Sequence, residues 1–97
     1  MKINNLTIEG ESHLVNHNPL YIGIVLKKRR VEKCISQEEL SFRSSTTRTY
    51  ISMLERNLKK PSLETIFAIA AAFEIKASEF IKEVEDHHEE NQTEMIG

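Results

Sequence analysis

Several kinds of protein are excluded by what the chain lacks. Its 97 residues include one cysteine, Cys34, which rules out an intramolecular disulfide and a cysteine-rich zinc centre. Three glycines leave little material for a phosphate-cradling loop. The longest apolar run, Ile66 to Phe73, is far short of the ~18 residues needed to span a bilayer. The opening MKINNLTIEGESH has no basic start with an apolar stretch behind it, so no signal peptide is expected and a cytoplasmic protein is the simple reading. No Cys/His or Ser/His pairing and no ligand cluster stands out. Neither an enzyme, a metal, a cofactor nor a small-molecule ligand is therefore expected. The length fits one small domain.

What is present is an uneven distribution of charge. The formal net charge of −2 is the balance of three zones. Met1 to Pro19 carries −1, Leu20 to Lys82 carries +5, and Glu83 to Gly97, without Lys or Arg, carries −6. A basic body with an acidic tail points to a polyanionic partner for the body.

The first zone, residues 1–19, reads as an arm, a short strand or disordered, with Ile3, Leu6 and Ile8 as its early apolar residues. His13 and His17 are spaced for one helix face, but no carboxylate or third ligand joins them, so a polar leader is the better reading. Residues 20–84 read as helices. Pro19 suits a first turn before Leu20 to Lys33, where Ile22, Val25 and Leu26 keep helical spacing. Ser36, with Glu39 three residues on, makes a capping box for Gln37 to Ser44. Thr47 caps Arg48 to Arg56, and Asn57 suits a left-handed helix end. Pro61-Ser62 opens Leu63 to Phe73, with Leu63, Ile66, Ala70 and Phe73 expected on one inward face and Phe67 and Ile69 beside it. A fifth helix is expected from Ala77 to about Val84. Residues 85–97 read as a solvated acidic tail that frays, with His88-Glu89 lacking the second histidine of a zincin motif.

Gln37 to Arg56 fits a helix-turn-helix. Leu40, Ile51 and Leu54 pack the two helices together, and Ser41 sits where only a small side chain fits. Arg48, Thr49, Ser52 and Met53 then point outward from the front of the second helix, the end that can enter a major groove.

The segment ISQEELSFRSSTTRTYISMLERNLKKPSLETIFAIAAAFEIKASEFIKE resembles the lambda-repressor-like family, also called Cro-type or XRE. SQEEL, RTYIS, LER and PSLET stand in that family's order and spacing, and the resemblance covers Leu20 to about Glu83. RTYISMLERN and KASEFIKEVE are also similar to the controller proteins of restriction–modification systems. The resemblance implies an all-α, compact five-helix DNA-binding domain. It implies base-reading positions at Arg48, Thr49, Ser52 and Met53, and backbone contacts from Gln37, Arg43, Tyr50, Asn57, Lys59 and Lys60, which fix register without reading sequence. Gln37 would also brace the recognition helix, and Arg30 and Glu55 match a salt bridge that ties helix one to helix three in relatives. Plainer readings stand beside these: Gln37 as a cap, Lys27 to Arg30 as a solvated face, Met53 as an exposed residue without a role, Cys34 as an idle thiol.

The chain departs from the family pattern at several places. Ser41 stands for a frequent Ala, Ser45 for Gly, Thr46 for an apolar residue, Asn57 for Gly and Cys34 for Gly. Arg29 falls where an apolar residue is common. The resemblance nevertheless implies a sequence-specific transcriptional regulator that binds double-stranded DNA as a homodimer on a palindromic operator. Phe80, Ile81 and Val84 are the expected dimer surface. The competing class is a protein-interaction module of the same fold, such as an antitoxin-type partner.

Overall fold

The computed structural model of the protein describes residues 21–96. The N-terminal arm and the His13/His17 pair lie outside the described residues. Five helices follow in order: α1 Ile22–Glu32, α2 Gln37–Arg43, α3 Arg48–Glu55, α4 Leu63–Ala72 and α5 Ala77–Ile96. Among the described residues there is no strand, and no helix is long and apolar enough to cross a membrane.

Hydroxylated residues start three of these helices. Ser36, Thr47 and Ser62 each accept a backbone N–H from the residue three positions on, at 2.9, 3.1 and 3.1 Å. Each side chain thereby satisfies one of the four amides a helix start leaves unpaired. The capping box at Ser36 is only half made, because the Glu39 carboxylate turns instead to Arg43 Nε at 2.8 Å.

The ends of α1 to α4 share one solution. Cys34, Ser45, Asn57 and Glu74 all have φ between 59 and 61°. In each case the following amide reaches back five residues to a helical carbonyl: Ile35 to Arg30, Thr46 to Ser41, Leu58 to Met53 and Ile75 to Ala70, at 2.8–3.0 Å. This is the Schellman closure, which usually recruits glycine because a Cβ crowds the left-handed region. Here four non-glycine residues carry it.

The core is formed by Val25 and Leu26 of α1, Ile35, Leu40, Ile51, Leu54, Ile66, Ile69, Ala70, Ala72, Phe73, Phe80 and Val84. Two expectations are corrected here. Leu63 and Phe67, assigned to or beside the inward face of α4, are 65% and 58% exposed, while Ile69 is fully buried. Phe80 and Val84, expected at a dimer surface, lie in the core of the single chain, and only Ile81 of that set is exposed, at 45%.

The fifth helix also runs further than expected, through the supposed tail to Ile96. Its inward stripe continues from Phe80 and Val84 to His87 and His88, both half-buried. Their rings meet Tyr21, just before α1, with centroids 5.1 and 5.8 Å apart. Polar rings thus occupy positions that apolar residues hold one and two turns earlier.

Candidate nucleic-acid interface

The α2–α3 unit is held by its inward residues. Leu40, Ile51 and Leu54 are buried, and so is Ser41, whose hydroxyl donates to the Glu38 carbonyl at 2.7 Å. The turn between the helices carries a small hydroxyl network built on Ser44 and Thr46. Ser44 Oγ donates to the Leu40 carbonyl at 2.8 Å and lies 2.9 Å from Thr46 Oγ1. Thr46 therefore contributes a hydrogen bond as well as a methyl group.

With Ile51, Leu54 and Glu55 turned inward, helical geometry leaves Arg48, Thr49, Ser52 and Met53 on an outward arc of about 140°. Arg48 and Thr49 are exposed, and Ser52 and Met53 half-buried. The arc holds no acid, because the one acid of α3, Glu55, is buried. Arg43, Arg56, Lys59 and Lys60 are exposed around it. Arg56 was not singled out from the sequence, although its charge just past the helix was the available signal. Tyr50 is half-buried and packs against the core, so only part of its ring is free for a backbone contact.

The Glu55 carboxylate is enclosed by donors. Arg30 binds it through Nε at 2.6 Å and Nη2 at 3.1 Å, and Gln37 Nε2 donates to it at 2.9 Å. Arg30 Nη1 also donates to the Ile35 carbonyl at 2.8 Å. The expected tie between α1 and α3 is present, and Gln37 braces α3 through that same carboxylate. A planar guanidinium held at several points fixes orientation as well as distance.

A second tie joins the start of α1 to the same C-terminal end of α3. Asn57 Oδ1 accepts the Gly23 amide at 3.3 Å, so part of this expected DNA-backbone residue is engaged within the domain. Gly23 permits the approach. A Cβ there would lie 2.5 and 2.6 Å from the Leu54 and Glu55 carbonyl oxygens. Gly23 was missed in the sequence reading, because a glycine near a helix start is a weak signal until its neighbour is known.

Arg29, out of place in the family pattern, also finds its explanation. Its Nε donates to Glu83 Oε1 at 3.0 Å, its Nη2 pairs with the other Glu83 oxygen, and Glu79 lies 3.7 Å away. Its guanidinium carbon lies 6.0 Å from the centroid of the Phe73 ring. The hydrogen bond that Arg29 donates to Glu83 raises the Arg29 pKa above its ordinary value, with burial opposing and the charges of Glu83, Glu79 and Glu32 adding.

Fold and site together define a helix-turn-helix domain whose outward arc on α3 holds an arginine and no acid. Residues 26–80 match the family model HTH_3, helix-turn-helix, and the chain belongs to that family. The immunity repressor protein of Bacillus phage phi105 is 33% identical over 62 residues, which are 64% of this chain and 43% of the repressor. The chain therefore spans less than half of that relative. Among solved structures, the restriction-modification controller protein C.AhdI from Aeromonas hydrophila has a TM-score of 0.62 at 33% identity, covering 66% of this chain and 97% of the controller. The controller C.Esp1396I, solved as a tetramer in complex with its natural 35 base-pair operator, has a TM-score of 0.66 at 31% identity, covering 71% and 92%.

Proposed function

We propose that this protein is a sequence-specific double-stranded-DNA-binding transcriptional regulator that works as a homodimer on a palindromic operator, in the manner of restriction–modification controllers. One observation carries the reading. The outward arc of α3 presents an exposed guanidinium and hydroxyl, with a half-buried hydroxyl and thioether beside them, while the one carboxylate of the helix is withdrawn and bound by Arg30. An acid on that arc would repel phosphate, and its sequestration suits a helix meant for a major groove. Arg48 would read guanine through O6 and N7 together, Thr49 and Ser52 would offer hydroxyls to base edges, and Met53 would meet a thymine methyl. Arg43, Arg56, Lys59 and Lys60 would hold the backbone, with Gln37, Tyr50 and Asn57 offering their remaining polar groups.

The relatives support this reading, since one is a phage repressor and another is solved on its operator. Action is by occupancy of a promoter rather than by catalysis, and the cytoplasm is the proposed compartment. Ile81 is the member of the expected dimer set that remains free, and exposed Leu63 and Phe67 on the neighbouring α4 supply further apolar surface for a partner copy.

Selection from random duplexes tests the proposal. The expected result is a site with two-fold symmetry, bound by two chains in light scattering, with Ile81→Asp giving monomers that bind weakly. A protein that enriches no duplex, yet co-purifies with a different protein, would instead be an interaction module.

A further inference from the structure

Helix α1 is the shared neighbour of the recognition helix and the C-terminal helix. It packs on α3 and on α5, whereas the other route between them runs from α3 through α2 and α4 to α5. Two consecutive arginines divide its labour. Arg30 reaches α3 and holds Glu55, while Arg29 reaches α5 and grips Glu83 with two nitrogens. The Arg29 side chain is mostly buried, with its guanidinium near Phe73 at the end of α4. A two-point grip between a planar guanidinium and a carboxylate fixes an angle, which a single ammonium contact cannot do.

We propose that the Arg29–Glu83 pair sets the tilt of α5 against α1 and thereby the separation of the two recognition helices in the dimer, which makes Arg29 and Glu83 positioning residues for half-site spacing. The proposal rests on the reading of the chain as a DNA-binding dimer joined through the exposed side of α4 and α5. In such a dimer α5 belongs to the seam, and α3 stands at the end of a lever that starts there. The described residues span 42 × 28 × 23 Å. A rotation of ~10° acting over ~20 Å would move α3 by about 3.5 Å, close to the ~3.4 Å step of one base pair. Two-fold symmetry doubles the change. Half-sites must recur at about one helical turn, so an error of one step takes one recognition helix off its bases.

The test compares operators whose selected half-sites are separated by the native number of base pairs, by one fewer and by one more. Binding is measured by anisotropy at fixed salt. The parent should prefer the native spacing at least ten-fold. Arg29→Met keeps the stem beside Phe73 and removes the grip, and Glu83→Gln weakens it from the other side. Both should remain dimers and should reduce the preference to three-fold or less. Exchanging the pair, Arg29→Glu with Glu83→Arg, should restore most of it. Lys82→Ala breaks the exposed Lys82–Asp86 pair within α5, leaves the Arg29–Glu83 grip in place and should behave as the parent.

A merely structural role would lower affinity at every spacing alike, and that outcome would overturn the proposal. So would an Arg29→Met or Glu83→Gln dimer that keeps the full preference, and in either case the DNA-binding reading would stand. If Arg29→Met does not fold, Glu83→Gln decides, because its carboxylate is more than a third exposed. A parent that binds no duplex, or that stays dimeric with Ile81→Asp, would overturn the proposal together with the reading beneath it.

Discussion

The seam between α1 and α3 and the seam between α1 and α5 are each closed by an arginine of α1, yet they differ in what surrounds the pair. Arg30 meets a carboxylate that is 3% exposed, with Gln37 as a third partner, and Gly23 near the start of α1 closes the same seam through Asn57. Arg29 meets Glu83 and Glu79, whose side chains are 39% and 55% exposed. Water competes for the second pair and hardly reaches the first. Both arginine side chains are 13% exposed, so the difference lies in the carboxylates: losing Arg30 strands Glu55 away from solvent, whereas losing Arg29 leaves Glu83 and Glu79 open to water. The α3 side is therefore fixed by energy, and the α5 side chiefly by geometry.

The largest expected effect lies on the inner seam. Glu55→Ala leaves the Arg30 guanidinium and the Gln37 amide without their shared partner, and should cost about 3 kcal/mol or more. For a domain of this size that lowers Tm by roughly 12 °C or more, readable by calorimetry. A variant that melts like the parent would erase the distinction between the seams. Gly23→Ala attacks the same seam at its tight end, driving a methyl group into two backbone carbonyls of α3. Overpacking of this kind should cost about 1–3 kcal/mol in urea unfolding. On the outer seam Arg29→Met should cost less than about 1 kcal/mol, since the carboxylates it releases are exposed. The smallest change should be a gain. Glu74 holds φ 61° in the turn between α4 and α5, and Glu74→Gly removes the Cβ penalty there. The chain-entropy cost of glycine offsets part of this, leaving a stabilisation of about 0.5 kcal/mol.

The inner seam was also the more legible one. Ser36, Thr47 and Ser62 announce helix starts by local chemistry, and Leu40, Ile51 and Leu54 announce the packing by spacing. Asn57 and Ser45 could be expected in the left-handed region because both sit at helix ends in turn-like surroundings. Glu74 could not, since glutamate has no particular tolerance for that conformation and only the shape of the α4–α5 turn demands it. The extent of α5 was hidden for a different reason. Beyond Val84 its inward positions are filled by His87 and His88, which read as solvent-facing until Tyr21 is seen packing on them. Helix α4 is apolar almost all round, so spacing alone does not choose its buried face, and Leu63 and Phe67 were assigned inward as a result. The role of Arg29 depends on where α5 lies, and no pattern within α1 reveals it.

In the proposed complex the front of α3 reads bases while the basic residues around it hold phosphate. The direct measurement is binding of Arg48→Ala and Lys60→Ala to the selected operator and to its single-base variants across a salt series. Arg48→Ala should abolish preference at one position of each half-site, a loss of about 1–3 kcal/mol of discrimination, while leaving other positions selective. Lys60→Ala should weaken every duplex alike and reduce the salt slope by about one. If Arg48→Ala instead weakens all duplexes equally and lowers the salt slope, Arg48 is a phosphate ligand and α3 does not read DNA as described.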